Sequence, residues 1–220
     1  EALPVMETIP GPSTEALAAR CRELNVHVIV GLLEEEGGKF YNSAAFVGPQ
    51  GLVGKHRKLH LPNVGVDRFV NRGDLPPSVY ETEIGRIGMG ICYDSAFPEH
   101  ARVLALQGAD LIVNITNGPE GAEFCVEHTA LTRARENHVY YAAINRTGEE
   151  RGVTFFGQSK IVRYDGAPLA EGKPYAEDIL YAEIEPALAR DKRLTLASGE
   201  CVSDVFKDRR PEFYGILTRR

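Results

Sequence analysis

The segment 87–99, with the sequence IGMGICYDSAFPE, constrains the fold more than any other part of the chain. Its apolar pattern predicts a strand that ends at Cys92, and Pro98 predicts the start of a helix after a turn. Gly88 and Gly90 carry no side chain, so a neighbouring backbone can approach the strand closely there. A cysteine between a strand end and a helix start lies where open α/β proteins keep their functional residues, and the helix start favours an anion. Cys92 is therefore a candidate nucleophile, and the alternative is a buried cysteine that only packs.

The rest of the chain alternates predicted helices and strands. Helices are predicted over residues 13–24, 98–107 and 124–137. Strands are predicted over 26–33, 40–47, 52–55, 79–83, 86–92, 111–115, 139–145, 154–164 (one long strand or a pair) and 175–184. Hairpin turns at 48–51 and 165–166 lie among the helices, which predicts an α/β layered fold with mixed sheets. Neither a repeat nor a low-complexity linker divides the sequence, so we expect a single domain over residues 1–220.

Composition narrows the possible partners. The net charge is −6 without a basic block, which disfavours nucleic acid, and no apolar run reaches membrane-spanning length. The cysteines form no CxxC pair and have no Cys/His ligand spacing, so a zinc site or a disulfide framework is disfavoured. We expect a reducing cytoplasm, no metal and no cofactor. The four cysteines are Cys21, which the helix pattern places in the core, and Cys92, Cys125 and Cys201.

A short basic segment, KHRKLHLP at residues 55–62, follows a predicted strand. One interpretation is a solvated cluster of charges. Apolar residues on both sides favour another, in which one of its lysines points inward. A lysine turned inward needs a function or a partner carboxylate.

Three motifs in this chain carry a family resemblance: GKHRKLHL at 54–61, GICYDSAFPE at 90–99 and RAREN at 133–137. Weaker matches lie at 31–34, 41–44, 157–159 with 165–166, and 209–214. Each motif is weak alone, but together they follow one order along nearly the whole chain. In this the sequence resembles the nitrilase superfamily of carbon–nitrogen hydrolases.

The resemblance implies an αββα sandwich that dimerises into an αββα–αββα stack, or a higher homo-oligomer. It also implies a Glu–Lys–Cys triad, with Cys92 as the nucleophile and Lys58 as the cation beside it. A thiolate attacks an amide or nitrile carbon of a small molecule and forms a thioester or thioimidate. Lys58 and the backbone N–H of Tyr93 would then hold the developing negative charge.

One part of the triad is not found in its usual context. The family takes its general base from a Pro-Glu near the N-terminus, whereas the first landmark here, Pro10-Gly11-Pro12, already lies downstream of that strand. The Pro-Glu pairs at 98–99, 119–120 and 211–212 fall elsewhere in the family order. We therefore expect that the opening strand–helix–strand with the catalytic Glu precedes these residues, and that the 220 residues alone turn over little substrate.

Several further residues are candidates for supporting roles. Asp67 lies where a supporting Glu is usual, and the alternative is a loop Asp paired with Arg68 or Arg72. We expect Glu34 to orient the Lys58 region, and Asn117 with Glu120 to line the substrate pocket unless they are simply solvated. Asp94 and Glu99 are interpreted as structural groups that bind backbone N–H donors. We expect an ion pair between Arg133 and Glu136 that braces the site. Four aromatic residues are candidates for an apolar wall, and we expect at least two of them to pack in the core instead: Tyr93, Phe97, Phe124 and Phe155.

The predicted activity is a cysteine-dependent hydrolysis of a non-peptide C–N bond, in an amide or carbamoyl amide rather than a nitrile. Small residues, Ser95 and Ala96, follow Cys92 where an Arg would clamp a carboxylate, which disfavours N-carbamoyl amino acids and ω-amidic acids. One alternative is a glutaminase module that supplies ammonia to a synthetase. The other is a non-catalytic binding or regulatory protein that has lost its base.

Overall fold

The computed structural model describes residues 3–196 and 199–219. Within them the α-helices are α1 (Pro12–Leu24), α2 (Pro98–Leu106) and α3 (Ala130–Asn137), the last preceded by a π-helical turn, Cys125–Thr129. The strands are β1 (Val28–Glu36), β2 (Lys39–Gly48), β3 (Gly51–Arg57), β4 (Val79–Thr82), β5 (Gly85–Ile91), β6 (Leu111–Thr116), β7 (Tyr140–Asn145), β8 (Thr147–Glu150), β9 (Val153–Phe156), β10 (Lys160–Val162), β11 (Pro168–Glu171), β12 (Arg193–Leu196) and β13 (Cys201–Asp204).

Two sheets pack face to face, and helices cover their outer faces. The smaller sheet is antiparallel with the order β1-β2-β3. The larger sheet has the order β11-β10-β7-β6-β5-β4, and its central strands β5, β6 and β7 are parallel. One apolar cluster joins α1 to the small sheet, and another joins α2 and α3 to the large sheet. The layers therefore run helix, sheet, sheet, helix, which confirms the predicted αββα sandwich with mixed sheets.

Successive residues of β5 point alternately towards the small sheet and towards α2. Odd-numbered residues such as Met89 share an apolar cluster with Phe46 of the small sheet. Even-numbered positions face α2, where a Cβ added at Gly88 would lie 3.1 Å from a Leu104 methyl carbon. The close approach at Gly88 is thus made by a side chain of α2, and the expectation of a neighbouring backbone was wrong.

Most predicted elements are present with ends shifted by one to three residues. The segment 154–164 contributes to two separate strands, β9 and β10, as one of the two predictions had it. The helix predicted over 124–137 begins with the π-helical turn before α3. The strand predicted over 175–184 is wrong: the segment has no strand there, and its apolar residues Ile179 and Tyr181 are 74% and 82% exposed.

No helix among the described residues is both long enough and apolar enough to span a lipid bilayer.

Candidate active site

Cys92 lies directly after β5, at the carboxyl edge of the three parallel strands. It is partly exposed and begins a 3₁₀ turn, Cys92–Ala96, with a backbone φ of 49°. This left-handed conformation is costly for a residue with a side chain, and such residues cluster at functional sites. Asn114 of the neighbouring strand β6 donates a hydrogen bond from Nδ2 to the Cys92 carbonyl oxygen at 3.4 Å. The predicted position of Cys92 between a strand end and a helix start is confirmed.

Lys58 is the inward-pointing lysine of the basic segment, with only 3% of its surface exposed. It continues the line of β3, since its N–H donates to the Asn42 carbonyl at 2.8 Å and its own carbonyl accepts from Gly73 N–H at 2.9 Å. Its ammonium donates to the buried Asp67 carboxylate, which also accepts from Asn42 Nδ2 at 2.9 Å. Asp67 therefore pairs with Lys58, and the alternative pairing with Arg68 or Arg72 is wrong.

A single carboxylate, that of Asp94, connects the Lys58 segment to the Cys92 turn. One oxygen accepts from His56 Nε2 at 2.9 Å and from Ile91 N–H at 3.1 Å. The other accepts from His60 Nδ1 at 2.7 Å and from His60 N–H at 3.1 Å. Lys58 lies between the two histidines in sequence, and Cys92 lies between Ile91 and Asp94. Lys58 is thus flanked by two residues that donate to Asp94, and Cys92 lies between a third donor, Ile91, and Asp94 itself.

Asp94 is fully buried and ionised. Burial alone would raise its pKa, but hydrogen bonds from His56 and His60 outweigh burial and hold the pKa below its ordinary value. A carboxylate can only accept, so each imidazole nitrogen that faces it carries a proton. The interpretation of Asp94 as a group that binds backbone N–H donors is confirmed, with two histidines added to its partners.

His100 of α2 lies against this group, with its ring centroid 5.2 Å from that of His56. Burial lowers the pKa of His100 from 6.5 to about 4, so the side chain is neutral in the folded protein. Its ring fills the space beside Gly90, where an added Cβ would lie 3.0 Å from the His100 Cε1 atom. His100 Nε2 and Asn114 Oδ1 are buried polar atoms without a hydrogen-bond partner among the described residues.

The side chains of His56, Asp94 and His100 offer ligand atoms that lie within 4.8 Å of one another. Such a group resembles a metal site, but His56 Nε2 already donates its proton to Asp94 and has no lone pair free for a cation. The donor set therefore fits a hydrogen-bonded polar core better than a metal centre.

Arg133 of α3 braces the turn that follows Cys92. Its Nε donates to the Ser95 carbonyl at 3.1 Å, and its Nη1 pairs with Glu136 at 2.8 Å. The predicted ion pair between Arg133 and Glu136 is therefore present, and Arg133 connects it to the turn that follows Cys92. Glu99, the other motif carboxylate, is exposed in the first turn of α2.

Glu34 lies on the opposite face of the small sheet from Lys58. Its fully buried carboxylate accepts from Arg57 Nη2 at 2.6 Å, from Ser43 Oγ at 2.6 Å and from Lys55. Burial would raise the pKa of Glu34, but these bonds keep the pKa below its ordinary value. Glu34 thus fixes Arg57, the residue before Lys58, rather than contacting Lys58 itself.

The two pocket candidates follow β6, the strand beside Cys92. Asn117 and Glu120 are both exposed. The Glu120 N–H donates to the Thr154 carbonyl at 2.9 Å, so this loop is tied to β9. Because the carboxyl ends of β5 and β6 are adjacent, both residues lie at the edge of the sheet that carries Cys92.

The four aromatic candidates lie outside the core, so the prediction that at least two of them pack there is wrong. Tyr93 and Phe124 are 42% and 67% exposed, and Phe97 and Phe155 are half-buried. Phe97 stacks on the His60 ring with centroids 3.7 Å apart, and Tyr93 packs edge-on against Phe97. Phe97 and Tyr93 therefore lie beside His60, one of the partners of Asp94.

Comparison with known proteins shows the family to which the chain belongs. A sequence model described as carbon–nitrogen hydrolase matches residues 1–194. The chain belongs to the carbon–nitrogen hydrolase family. It is 37% identical over 220 aligned residues to a nitrilase of Pyrococcus abyssi, covering 97% of this chain and 79% of the relative. It is 36% identical over 194 residues to omega-amidase NIT2-B of Xenopus laevis, covering 81% and 68%.

The fold of the chain is also that of a solved carbon–nitrogen hydrolase. The crystal structure of such an enzyme from Helicobacter pylori G27 superposes with a TM-score of 0.81 at 26% identity, covering 94% of this chain and 76% of that one. The two sheets and their covering helices are therefore the family's architecture.

Some residues of this carbon–nitrogen hydrolase site were missed by sequence reasoning. His56 and His60 flank Lys58 at two positions on either side, a spacing that could have suggested a shared environment. Asn114 is a single polar residue inside the apolar strand LIVNIT, and a buried polar residue of that kind needs a partner. The link between the two histidines and Asp94 has no signal in a single sequence.

Proposed function

We propose that the chain hydrolyses a non-peptide C–N bond of a small amide, with Cys92 as the nucleophile and Lys58 as the cation that stabilises the transition state. The observation that carries the proposal is the pairing of two features. Cys92 is partly exposed at a strand end in a left-handed conformation, and the segment with the buried Lys58 is joined to the Cys92 turn through Asp94. The proposal includes the homodimer that the family resemblance implies.

The proposed chemistry proceeds through an acyl-enzyme. A general base takes the thiol proton, and the Cys92 sulfur attacks the amide carbon to form a C–S bond. The carbonyl oxygen gains the negative charge, which the Lys58 ammonium and the Tyr93 N–H would stabilise. Collapse breaks the C–N bond, and ammonia or an amine leaves with a proton. Water then attacks the thioester, breaks the C–S bond and releases the acid.

Asp67 supports this role of Lys58. A buried ammonium is costly without a partner, and the Asp67 carboxylate pairs with it and fixes its position. Asn42 holds the carboxylate from the other side. We assign Asp67 to positioning the lysine.

An amide is the substrate class we favour. The omega-amidase among the relatives supports an amide, whereas the nitrilase supports a nitrile, so both classes belong in the test. Ser95 and Ala96 follow Cys92 and supply no cation for a substrate carboxylate. We therefore expect uncharged amides to be better substrates than amides that carry an acid.

The test measures ammonia release by the complete gene product from a panel of neutral amides, acid-bearing amides and nitriles. Cys92→Ala should lower kcat/KM by about a thousandfold or more, because the nucleophile is lost. Lys58→Gln should lower it by about 10²–10³, as expected for a lost oxyanion donor. Cys125→Ala, which removes an exposed thiol on the neighbouring π-helical turn, is the matched control and should keep its activity.

Two outcomes would contradict the proposal. Cys92→Ala that keeps the wild-type rate would exclude this thiol as the nucleophile. No ammonia from any substrate, together with a Cys92 thiol inert to iodoacetamide, would support the non-catalytic binding alternative.

A further inference from the structure

Asp94 holds together the two chain segments that carry the reactive pair. All of its recorded donors come from residues on either side of Lys58 or from the strand end before Cys92. Its own position is fixed in turn, because the carboxylate is fully buried and follows Cys92 by two residues. A shift of either segment would break at least two of these bonds.

We infer that Asp94, with His56 and His60, is a positioning unit that aligns the Lys58 ammonium with the Cys92 sulfur. The inference rests on the proposed function and deepens it. In this role the unit acts through Lys58 and Cys92 rather than on the substrate. It sets the distance between two residues that belong to different sheets, and a displacement of about 1 Å at such a site costs roughly a hundredfold in rate.

The alternative is that Asp94 acts only through its charge. A buried anion two residues from Cys92 opposes formation of a second anion on the sulfur, so its removal by charge alone would make Cys92 more reactive. A positioning role predicts the opposite result, since a displaced Lys58 no longer stabilises the thiolate. The two roles therefore differ in the sign of their effect.

The histidines give a second test in which the Asp94 charge stays. His60 bonds through Nδ1, whose place the Asn side-chain amide can take, whereas Leu has no donor. His56 bonds through Nε2, so Gln is its conservative replacement. Each matched pair of variants removes the imidazole but differs in the hydrogen bond.

The experiment follows alkylation of Cys92 by iodoacetamide from pH 5 to 10, with the modified peptide quantified by mass spectrometry. Asp94→Asn should slow the reaction at pH 7 by about tenfold, because a displaced Lys58 no longer stabilises the attacking sulfur. His60→Leu and His56→Leu should slow it similarly, whereas His60→Asn and His56→Gln should retain most of the wild-type rate. Glu99→Gln, an exposed carboxylate of the same motif, is the matched control and should leave the profile unchanged.

Cys21 is the internal control for folding. It is fully buried on the inner face of α1, so its alkylation reports global opening of the chain. A variant that slows Cys92 while Cys21 stays protected has lost alignment rather than structure. If a variant exposes Cys21, the test of the positioning role uses His60→Asn and His56→Gln instead.

The outcomes separate the inference from the proposed function. Unchanged or faster Cys92 alkylation in Asp94→Asn, or equal slowing by His60→Asn and His60→Leu, would overturn the positioning role. If Lys58→Gln leaves the Cys92 profile unchanged, the Lys58–Cys92 pairing itself fails, whatever Asp94 does.

Discussion

His100 is a buried histidine whose protonation the fold opposes. Its pKa falls from 6.5 to about 4 because burial disfavours the charged ring. The unfolded chain therefore binds a proton on this residue between pH 6.5 and 4 while the folded protein does not, and the stability present above pH 6.5 is lost as the pH falls. We expect this one group to lower the free energy of unfolding by roughly 3 kcal/mol across that window.

Urea unfolding at pH 7, 5.5 and 4 measures this effect. His100→Gln should flatten the dependence on pH, although it can lower stability at every pH through lost packing. His128→Gln is the matched control, since His128 is exposed on the π-helical turn before α3. An identical slope for wild type and His100→Gln would show that His100 titrates as freely in the folded protein as in the unfolded one.

At the scale of elements, the packing of β5 on α2 requires a glycine at position 88. A Cβ at Gly88 would meet the Leu104 side chain at 3.1–3.3 Å, closer than ordinary contact. We expect Gly88→Ala to lower the free energy of unfolding by about 1–3 kcal/mol through overpacking. In a Leu104→Ala background the same change should cost much less, which a double-mutant cycle measures.

Gly215→Ala is the control for the glycine change itself, because an added Cβ there meets no atom within 4 Å. It should change stability by less than about 0.5 kcal/mol. Equal costs for Gly88→Ala with and without Leu104 would place the strain elsewhere than at this helix.

These elements also show how far the sequence alone could lead. Strands with strong apolar patterns, such as β5 and β6, and the stop at Cys92 were predictable because burial dictates their residues. The strand over 175–184 was not predicted correctly, because its exposed Ile179 and Tyr181 mimic a strand pattern without a sheet neighbour. The partner of Asp67 was also unpredictable, since it depends on a loop that packs against a residue nine positions away.

At the scale of the whole molecule, alternate residues of β3 point to opposite faces of the small sheet and bind different carboxylates. Lys55 and Arg57 point to the α1 side, where they bind Glu34, whereas His56 and the adjoining Lys58 point to the opposite face, where they bind Asp94 and Asp67. Glu34 therefore stabilises the face of the small sheet that α1 covers. Asp67 stabilises the end of the same strand from the opposite face, through its ion pair with Lys58.

This separation predicts different results for two carboxylate replacements. Asp67→Asn leaves the buried Lys58 ammonium without its carboxylate, so it should lower the free energy of unfolding by about 3 kcal/mol. Glu34→Gln should lower it by less, because Arg57 keeps its ion pairs with Glu36 and Asp74. Only Asp67→Asn should also slow iodoacetamide alkylation of Cys92, measured on the folded protein well below its unfolding midpoint. If Glu34→Gln slows Cys92 as strongly as Asp67→Asn does, the two faces of the small sheet are coupled and Glu34 belongs to the site. A loss of stability in both variants, with alkylation of Cys92 slowed only by Asp67→Asn, would show that the two faces of this strand have separate roles.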